Sequence, residues 1–140
     1  FPTRRSSDLS NFNPTFNFIS PTELKIPKTY KHFLEQRNIK YYEHLDFSDI
    51  IQHADIVYMT RVQRERFSDP MEYEKTKNAY VLRNSILDNT KSNMKILHPL
   101  PRVNEIHKDV DANEKAYYFE QALNGVFTRQ AIITSILGLK

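Results

Sequence analysis

Four short segments rich in apolar residues punctuate the chain and predict β-strands. They cover residues 16–19, 39–45, 55–60 and 94–97. Residues 116–119, Ala-Tyr-Tyr-Phe, predict a fifth and shorter extended segment. Several of these runs are nearly continuous in apolar character. This is typical of parallel strands, because helices cover both faces of a parallel sheet.

Helix signals lie between the predicted strands. Residues 27–34 begin with proline and carry apolar side chains at i, i+3, i+4 spacing, which predicts an amphipathic helix. Asp69-Pro70-Met71-Glu72 predicts another helix start, with Asp69 as its cap. Further helices are predicted over 46–53, 84–89 and 124–137. Strands that alternate with helices indicate an α/β fold, a mostly parallel sheet flanked by helices.

Composition narrows the kinds of site that this fold can carry. Glycine occurs only at 125 and 138, so the sequence holds neither a dinucleotide fingerprint nor a P-loop. The absence of cysteine excludes disulfides and thiolate sites, and it favours a cytoplasmic location. The net charge of +3 is dispersed, which argues against a nucleic-acid-binding face. No apolar run approaches the roughly 20 residues of a membrane span.

Metal and triad chemistry find no support in the sequence. The histidines show no pair at the helical i, i+4 spacing of a zincin motif, and there is no G-x-S-x-G elbow. We therefore expect neither a metal nor a cofactor.

The first ten residues differ from the rest of the chain. They lack methionine and any periodicity, and they look like a translated junction rather than native protein. We exclude residues 1–10 from the fold prediction and expect the natural protein to extend further toward its N-terminus.

The end of the third predicted strand carries candidate ligand-binding chemistry. Arg61 and Gln63 project to the same side of an extended segment. A guanidinium fork matches a carboxylate or phosphate, so the pair could hold a small acidic ligand. The alternative is a charged loop in which each arginine pairs with a surface acid.

The end of the fourth predicted strand is stiffened by proline. His98-Pro99-Leu100-Pro101 lacks two N–H donors, which leaves backbone carbonyls in fixed directions to accept hydrogen bonds from an amine or amide. An X-Pro bond in a tight turn is also a candidate for the cis form. The alternative is an ordinary strand terminator with a structural His98.

Several longer motifs resemble the catalytic chain of aspartate carbamoyltransferase, over a match from about Asn11 to the C-terminus. They are Tyr-Met-Thr-Arg-Val-Gln-Arg-Glu-Arg at 58–66, Asp-Pro-Met-Glu-Tyr at 69–73, Met-Lys-Ile-Leu-His-Pro-Leu-Pro-Arg-Val at 94–103 and Asn-Gly-Val-Phe-Thr-Arg-Gln-Ala at 124–131. Ornithine-type carbamoyltransferases carry a cysteine between the histidine and the Leu-Pro pair, where this chain has Pro99. The resemblance implies the Rossmann-like second domain of the aspartate/ornithine carbamoyltransferases, in incomplete form.

The resemblance also implies an activity. The family enzyme transfers the carbamoyl group of carbamoyl phosphate to L-aspartate in pyrimidine synthesis. It implies that Arg61 and Gln63 bind aspartate, and that backbone groups of Pro99, Leu100 and Pro101 contact carbamoyl phosphate, with the Leu100–Pro101 bond cis. The residues implied in domain closure are Arg66, which would pair with an acid of the other domain, and Glu72 and Tyr73 on a mobile loop.

The family's first domain, which carries the phosphate loop and the groups that polarise the carbamoyl oxygen, has no counterpart in this sequence. The resemblance therefore implies an aspartate-binding domain over 11–123 and a C-terminal helix over 124–140 that packs on the missing domain. No catalytic residue is expected in this fragment, which should be inactive alone. The family forms homotrimers of full-length catalytic chains, in some cases with regulatory chains.

Two readings without catalysis compete with this one. The first is a non-catalytic α/β module that binds an acidic metabolite at Arg61. The second is a weak nucleic-acid binder that uses the net positive charge.

Overall fold

The structure is a computed structural model that describes residues 9–48, 50–62, 67, 69–76 and 80–139, with the backbone alone at 72, 75 and 76. The chain divides into two compact units, Phe1–Ile50 and Ile51–Lys140, and each is described by itself. The predicted 11–123 domain therefore spans both units.

The first unit is a β-α-β arrangement made of β1 (Phe16–Ile19), α1 (Lys28–Gln36) and β2 (Tyr41–His44). β1 and β2 pair in parallel. β1 has the predicted bounds, whereas β2 is shorter than the predicted 39–45. Leu34 on α1 is fully buried and forms the core of the unit with Ile26 and Ile39.

α1 ends where the backbone turns left-handed. Asn38 has φ of 54°, a conformation that asparagine tolerates better than most residues. The Asn38 N–H then donates to the carbonyl of Glu35 at 3.0 Å, and that of Ile39 to Leu34 at 3.0 Å. These bonds satisfy carbonyls at the helix end and lead the chain directly into β2.

The helix predicted over 46–53 is wrong for most of its length. Among the residues of this segment that the structure describes, 46–48 and 50–53, the helical ones are the short 3-10 turn Ile51–His53. Asp46 accepts hydrogen bonds from both the backbone N–H and the hydroxyl of Ser48, each at 2.6 Å. These bonds lower the pKa of Asp46 and form an Asx turn. Asp46 thus stabilises a turn rather than a helix start.

The second unit contains β3 (Ile56–Tyr58), α2 (Pro70–Thr76), β4 (Lys95–Leu97) and α3 (Tyr118–Ile136). β3 and β4 pair in parallel, with Val57 opposite Ile96. On its other side β4 forms an isolated parallel bridge from Ile96 to Ala116. All the strand pairs described are parallel, in agreement with the predicted fold class.

Core residues of the second unit surround β4. They are large apolar side chains that are almost fully buried: Ile51, Leu82, Leu87, Met94, Ile96, Ile106 and Val110. Tyr118, at the start of α3, is also fully buried. The predicted 84–89 helix is a short 3-10 turn, Asn84–Ile86, in this region.

The last helix starts earlier than predicted. α3 begins at Tyr118 rather than near 124, and the extended segment predicted over 116–119 is limited to the bridge at Ala116. Aromatic residues by themselves favour strands. Here, however, Tyr118 is fully buried in the first turn of a helix. Many large apolar side chains of α3 remain exposed: Phe119, Leu123, Val126, Phe127, Ile132, Ile133 and Ile136.

No helix in the described part of the chain is both long and apolar enough to cross a bilayer.

A lysine is buried in the second unit without a carboxylate partner among the described residues. Lys115 is 8% exposed. Its ammonium donates to the Leu87 carbonyl at 3.0 Å, the Thr90 hydroxyl at 2.8 Å and the Thr90 carbonyl at 3.4 Å. Three acceptors compensate the loss of water around a charge. The Lys115 side chain thereby connects the 87–90 turn to the segment that pairs with β4 through Ala116.

We expect Lys115→Met to lower the free energy of unfolding by about 1–3 kcal/mol, because it leaves buried acceptors without a donor. Lys91 is a matched control, since its ion pair with Asp55 lies at the surface. Lys91→Met should cost less than about 1 kcal/mol. Urea unfolding of the two variants checks the difference, and equal losses would contradict the role of the buried ammonium.

Candidate active site

The carboxyl ends of β3 and β4 lie side by side. Tyr58 is opposite Leu97 in the parallel register, and the Met59 N–H donates to the Leu97 carbonyl at 2.9 Å. The segments that follow, Thr60-Arg61 and His98-Pro99, therefore leave the sheet at the same edge. Ligands of open parallel sheets bind at this edge, and the sequence placed its candidate residues there.

Arg61 is exposed at this edge. It forms no ion pair or hydrogen bond with any residue that the structure describes. With respect to the described part of the chain, its fork of donors is open to an acid. Gln63 and Arg66 lie outside the described residues.

The bend after β4 has an unusual backbone. The Leu100–Pro101 peptide bond is cis, as predicted, and Leu100 has φ of 48°, in the left-handed region that side chains rarely occupy. The carbonyls of Pro99, Leu100 and Pro101 accept no hydrogen bond from the described part of the chain. They are therefore available to an incoming donor.

A buried pair of side chains lies behind this bend. The His98 ring is inaccessible, and its Nε2 lies 2.8 Å from Oε1 of Glu105, which is 5% exposed. The Leu100 N–H donates to His98 Nδ1 at 2.9 Å. The His98 ring is thus hydrogen-bonded at both nitrogens and does not face solvent. Glu105 was missed, because a glutamate seven residues after a histidine has no motif that signals contact.

A second network holds the far end of the bend. Arg102 binds both carboxylate oxygens of Asp111, and it also donates to the Tyr118 hydroxyl at 3.1 Å. The Tyr118 hydroxyl in turn donates to Asp111. The network joins the bend to the first turn of α3. The sequence offered Arg102 only as part of a motif and gave no signal for its partners.

The three members of this network have shifted pKa values. Hydrogen bonds from Arg102, and secondarily from Tyr118, lower the pKa of Asp111 despite its partial burial, while Asp111 raises that of Arg102. Burial, followed by the bond to Asp111, raises the pKa of Tyr118 to about 12. Each shift favours the form that the group's ordinary pKa already gives at neutral pH: a carboxylate for Asp111, a guanidinium for Arg102 and a neutral phenol for Tyr118.

α2 carries the candidate closure residues. Asp69 caps it as predicted, since its Oδ1 accepts from the Met71 N–H at 2.8 Å. Tyr73 is half-buried and packs edge-on against Phe67, with ring centroids 5.8 Å apart. Glu72 lies in the helix, but its side chain lies outside the description. The two residues thus belong to a short helix rather than to an irregular loop.

The described residues contain no cluster of three or more histidine and acidic side chains that could hold a metal ion.

Comparison with known proteins identifies relatives over nearly the whole chain. Residues 7–136 match the family described as aspartate/ornithine carbamoyltransferase, Asp/Orn binding domain. The chain is 63% identical over 132 residues to the aspartate carbamoyltransferase catalytic subunit of Azobacteroides pseudotrichonymphae, and 60% identical to that of Bacteroides fragilis. These matches cover 94% of this chain but 44% and 43% of the relatives. The chain therefore spans less than half the length of the curated relatives it matches.

Solved structures of aspartate transcarbamoylases also match this chain. The catalytic subunit of aspartate transcarbamoylase from M. jannaschii superposes with a TM-score of 0.80 at 40% identity, over 89% of this chain and 40% of that one. The Trypanosoma cruzi enzyme in complex with carbamoyl phosphate gives a TM-score of 0.74 at 28% identity, over 85% of this chain and 39% of its own.

The raised pKa of Tyr118 predicts a pH dependence of stability. Because the pKa in the folded state lies above the ordinary value of 10.0, the stabilisation is complete below pH 10 and is lost as pH rises through about 12. We expect the free energy of unfolding to fall more steeply between these pH values for the wild type than for Tyr118→Phe. Urea unfolding at a series of pH values measures both slopes.

Tyr42→Phe is the control for this experiment, because it removes a hydroxyl from an exposed side chain outside the network. It should keep the wild-type slope. A Tyr118→Phe variant with an unchanged slope would show that the pKa of Tyr118 is the same in the folded and the unfolded state.

Proposed function

Because the chain belongs to the aspartate/ornithine carbamoyltransferase family, in its Asp/Orn binding domain, we propose that it supplies the aspartate-binding half of an enzyme that carbamoylates L-aspartate. The observation that supports the proposal is the parallel register of β3 and β4, because the chain leaves these strands toward Arg61 and toward the bend at the same edge. That edge offers an acid-binding group beside hydrogen-bond acceptors. The reaction requires both.

The substrate fits these two kinds of group. L-aspartate carries two carboxylates, which Arg61 and Gln63 bind, and one amine, which must approach the carbamoyl carbon. The amine and the carbamoyl NH2 are donors, and the carbonyls of Pro99, Leu100 and Pro101 accept from them. A cationic group next to acceptors thus fixes the direction in which the nucleophile points.

The reaction needs no covalent intermediate on the protein. The amine nitrogen attacks the carbamoyl carbon of carbamoyl phosphate, a C–N bond forms, the C–O bond to phosphate breaks, and the amine loses a proton. Negative charge develops on the carbamoyl and phosphate oxygens and must be stabilised by donors. In our proposal those donors lie in the part of the relatives that this chain does not span, so the chain alone does not turn over.

The remaining assignments follow from the family resemblance. Arg66 pairs with an acid of the other domain on closure, and α2 moves with Glu72 and Tyr73 as a helical segment. Complete catalytic chains assemble into homotrimers, with or without regulatory chains, and act in the cytoplasm in pyrimidine synthesis.

The exposed apolar side chains of α3 support a further element of the proposal. From residue 124 onward the helix packs on the carbamoyl-phosphate domain. Isolated soluble chains rarely expose so many contiguous apolar side chains without a partner. The chain alone should therefore have poor solubility.

The test of aspartate binding by Arg61 uses a chimera in which residues 9–140 replace the matching segment of the Bacteroides fragilis catalytic subunit. We expect Arg61→Ala to lower kcat/KM for aspartate about 10- to 100-fold, the loss of a charged hydrogen-bonding pair. The KM for aspartate should rise and kcat should fall. Steady-state kinetics with varied aspartate measures both.

Lys40→Ala is the matched control, since it also removes one exposed positive charge. It should leave both constants within twofold of the wild-type chimera. An unaltered rate for Arg61→Ala would refute the role of Arg61 in binding aspartate. Saturable aspartate binding by the isolated chain, together with an inactive chimera, would favour the non-catalytic binding module instead.

The role of α3 predicts effects of opposite sign in two contexts. Ile133→Glu adds charge to an exposed apolar position, so the isolated chain should become more soluble. In the chimera the same change would bury a carboxylate against the other domain and lower the melting temperature. Solubility after ultracentrifugation and thermal unfolding measure the two effects. An unchanged melting temperature would contradict the packing of α3 on that domain.

A further inference from the structure

We propose that Glu105 and His98 act as positioning residues. They form a hydrogen-bonded group, the clasp, in which the ring proton of His98 has one defined position, and this group fixes the direction of the backbone carbonyls of the bend. This inference rests on the proposed function, because it assigns the clasp to the substrate-facing bend. The clasp is defined here as Glu105, His98 and the backbone N–H groups of Leu100, Val103 and Asn104.

Glu105 directs its whole carboxylate at the segment that precedes it. Oε1 lies 2.8 Å from His98 Nε2, and Oε2 accepts from the backbone N–H groups of Val103 at 3.1 Å and Asn104 at 3.0 Å. A buried carboxylate is costly unless such donors surround it. All its side-chain hydrogen bonds in the described part of the chain therefore serve the conformation of residues 98–104.

The geometry allows only one protonation pattern for His98. The Leu100 N–H is a fixed donor, so the Nδ1 that receives it must carry a lone pair. The proton of the neutral ring then lies on Nε2, which donates to Glu105. A proton on Nδ1 would oppose the Leu100 N–H. The main chain thus selects the tautomer, and Glu105 provides its acceptor.

The selected tautomer also fixes the direction of a carbonyl. The Leu100 N–H and the Pro99 carbonyl belong to one planar peptide unit and point in opposite directions. When the N–H is held on Nδ1, the Pro99 carbonyl must point away from the ring. That carbonyl accepts no hydrogen bond from the described part of the chain. The clasp therefore orients an acceptor without occupying it.

A second contact anchors the clasp to the helix behind it. The backbone N–H of His98 donates to Oε1 of Gln121 on α3 at 2.9 Å. Both peptide N–H groups nearest the ring are thus held, one by the ring itself and one by α3. The ring has no freedom to rotate without breaking a buried hydrogen bond.

Glu105→Gln breaks this pattern whichever way the amide faces. If the amide oxygen accepts from His98 Nε2, the amide NH2 opposes the N–H groups of Val103 and Asn104. If the oxygen accepts from those two groups, the NH2 faces Nε2 and forces the ring proton onto Nδ1, against the Leu100 N–H. One pair of donors conflicts in either case, so a nearly isosteric change should disturb the bend.

The first experiment measures the tautomer in the isolated chain that carries Ile133→Glu, the change expected to keep it in solution. Nitrogen-15 NMR of the histidine rings should show His98 as the Nε2–H form, with Nδ1 unprotonated. In Glu105→Gln the His98 signals should change tautomer or broaden into exchange. A doubly protonated or Nδ1–H ring in the wild type at neutral pH would overturn the clasp, whatever the activity of the complete enzyme.

The second experiment measures the kinetic role in the Bacteroides fragilis chimera. We expect Glu105→Gln to lower kcat about 10- to 100-fold, because a misplacement of about 1 Å costs about 10²-fold. The KM for aspartate should stay within threefold, since Arg61 is unaffected. Glu114→Gln, the same change at an exposed position, should leave kcat unchanged. An active wild-type chimera with an unaltered Glu105→Gln kcat would overturn the inference, whereas an inactive wild-type chimera would instead refute the proposed function.

A pair of His98 variants gives a test that does not depend on whether Glu105→Gln folds. His98→Asn keeps an oxygen near the position of Nδ1 and can still accept from the Leu100 N–H. His98→Gln places its amide near Nε2, where it reaches Glu105 but leaves the Leu100 N–H without an acceptor. If the clasp aims the Pro99 carbonyl, His98→Asn should retain at least fivefold more kcat than His98→Gln. The reverse order, or equal values, would contradict it.

Discussion

The structure of the second unit depends on the backbone of one short strand. Ile96 in β4 is fully buried and lies opposite Val57 in β3. On the other side its N–H donates to the Lys115 carbonyl at 2.8 Å, and its carbonyl accepts from the Tyr117 N–H at 3.0 Å. Both backbone groups of Ile96 are thus bonded to the 115–117 segment, while the β3 segment is bonded to the neighbouring residues Lys95 and Leu97. The chain before Arg61, the bend at His98 and the start of α3 all take their positions from β4.

This arrangement explains why the unit buries charged groups. Lys115 and Glu105 are buried and Arg102 is half-buried, and each is satisfied by hydrogen bonds to nearby backbone or side-chain groups. Buried charges add little net stability, because desolvation offsets most of their attraction. Their contribution here is directional. They fix the backbone of irregular segments that apolar packing alone would leave with several alternatives.

The sequence predicted the regular elements because their signals are local. β1 and β4 follow from apolar composition, and the Asp69 cap of α2 follows from the residue types at a helix start. The misplaced elements have non-local causes. Tyr118 favours a strand by itself, but its hydroxyl and ring are fixed by Arg102 and Asp111, which lie 16 and 7 residues earlier in the chain.

The same distinction between local and non-local signals separates the predicted parts of the candidate site from the missed ones. Arg61 and the proline bend could be proposed as site residues from the sequence, because residue type and position after a strand already indicate their chemistry. Glu105 was not found, because its contact with His98 exists only after the cis bend folds residues 98–104 back on themselves. A carboxylate that hydrogen-bonds to backbone has no sequence pattern of its own.

The proposed function also indicates which groups the rest of the enzyme would supply. The candidate groups described at the carboxyl edge, Arg61 and the bend carbonyls, bind a carboxylate or accept a hydrogen bond, so in the proposal this edge suits the nucleophile. In the proposed reaction, attack on carbamoyl phosphate creates negative charge, and acceptors such as the bend carbonyls would repel it. Donors for that charge would therefore lie on the opposite side of the substrates. The exposed apolar surface of α3, which begins at Phe119 directly after the buried Tyr118, would offer such a part of the enzyme a place to pack.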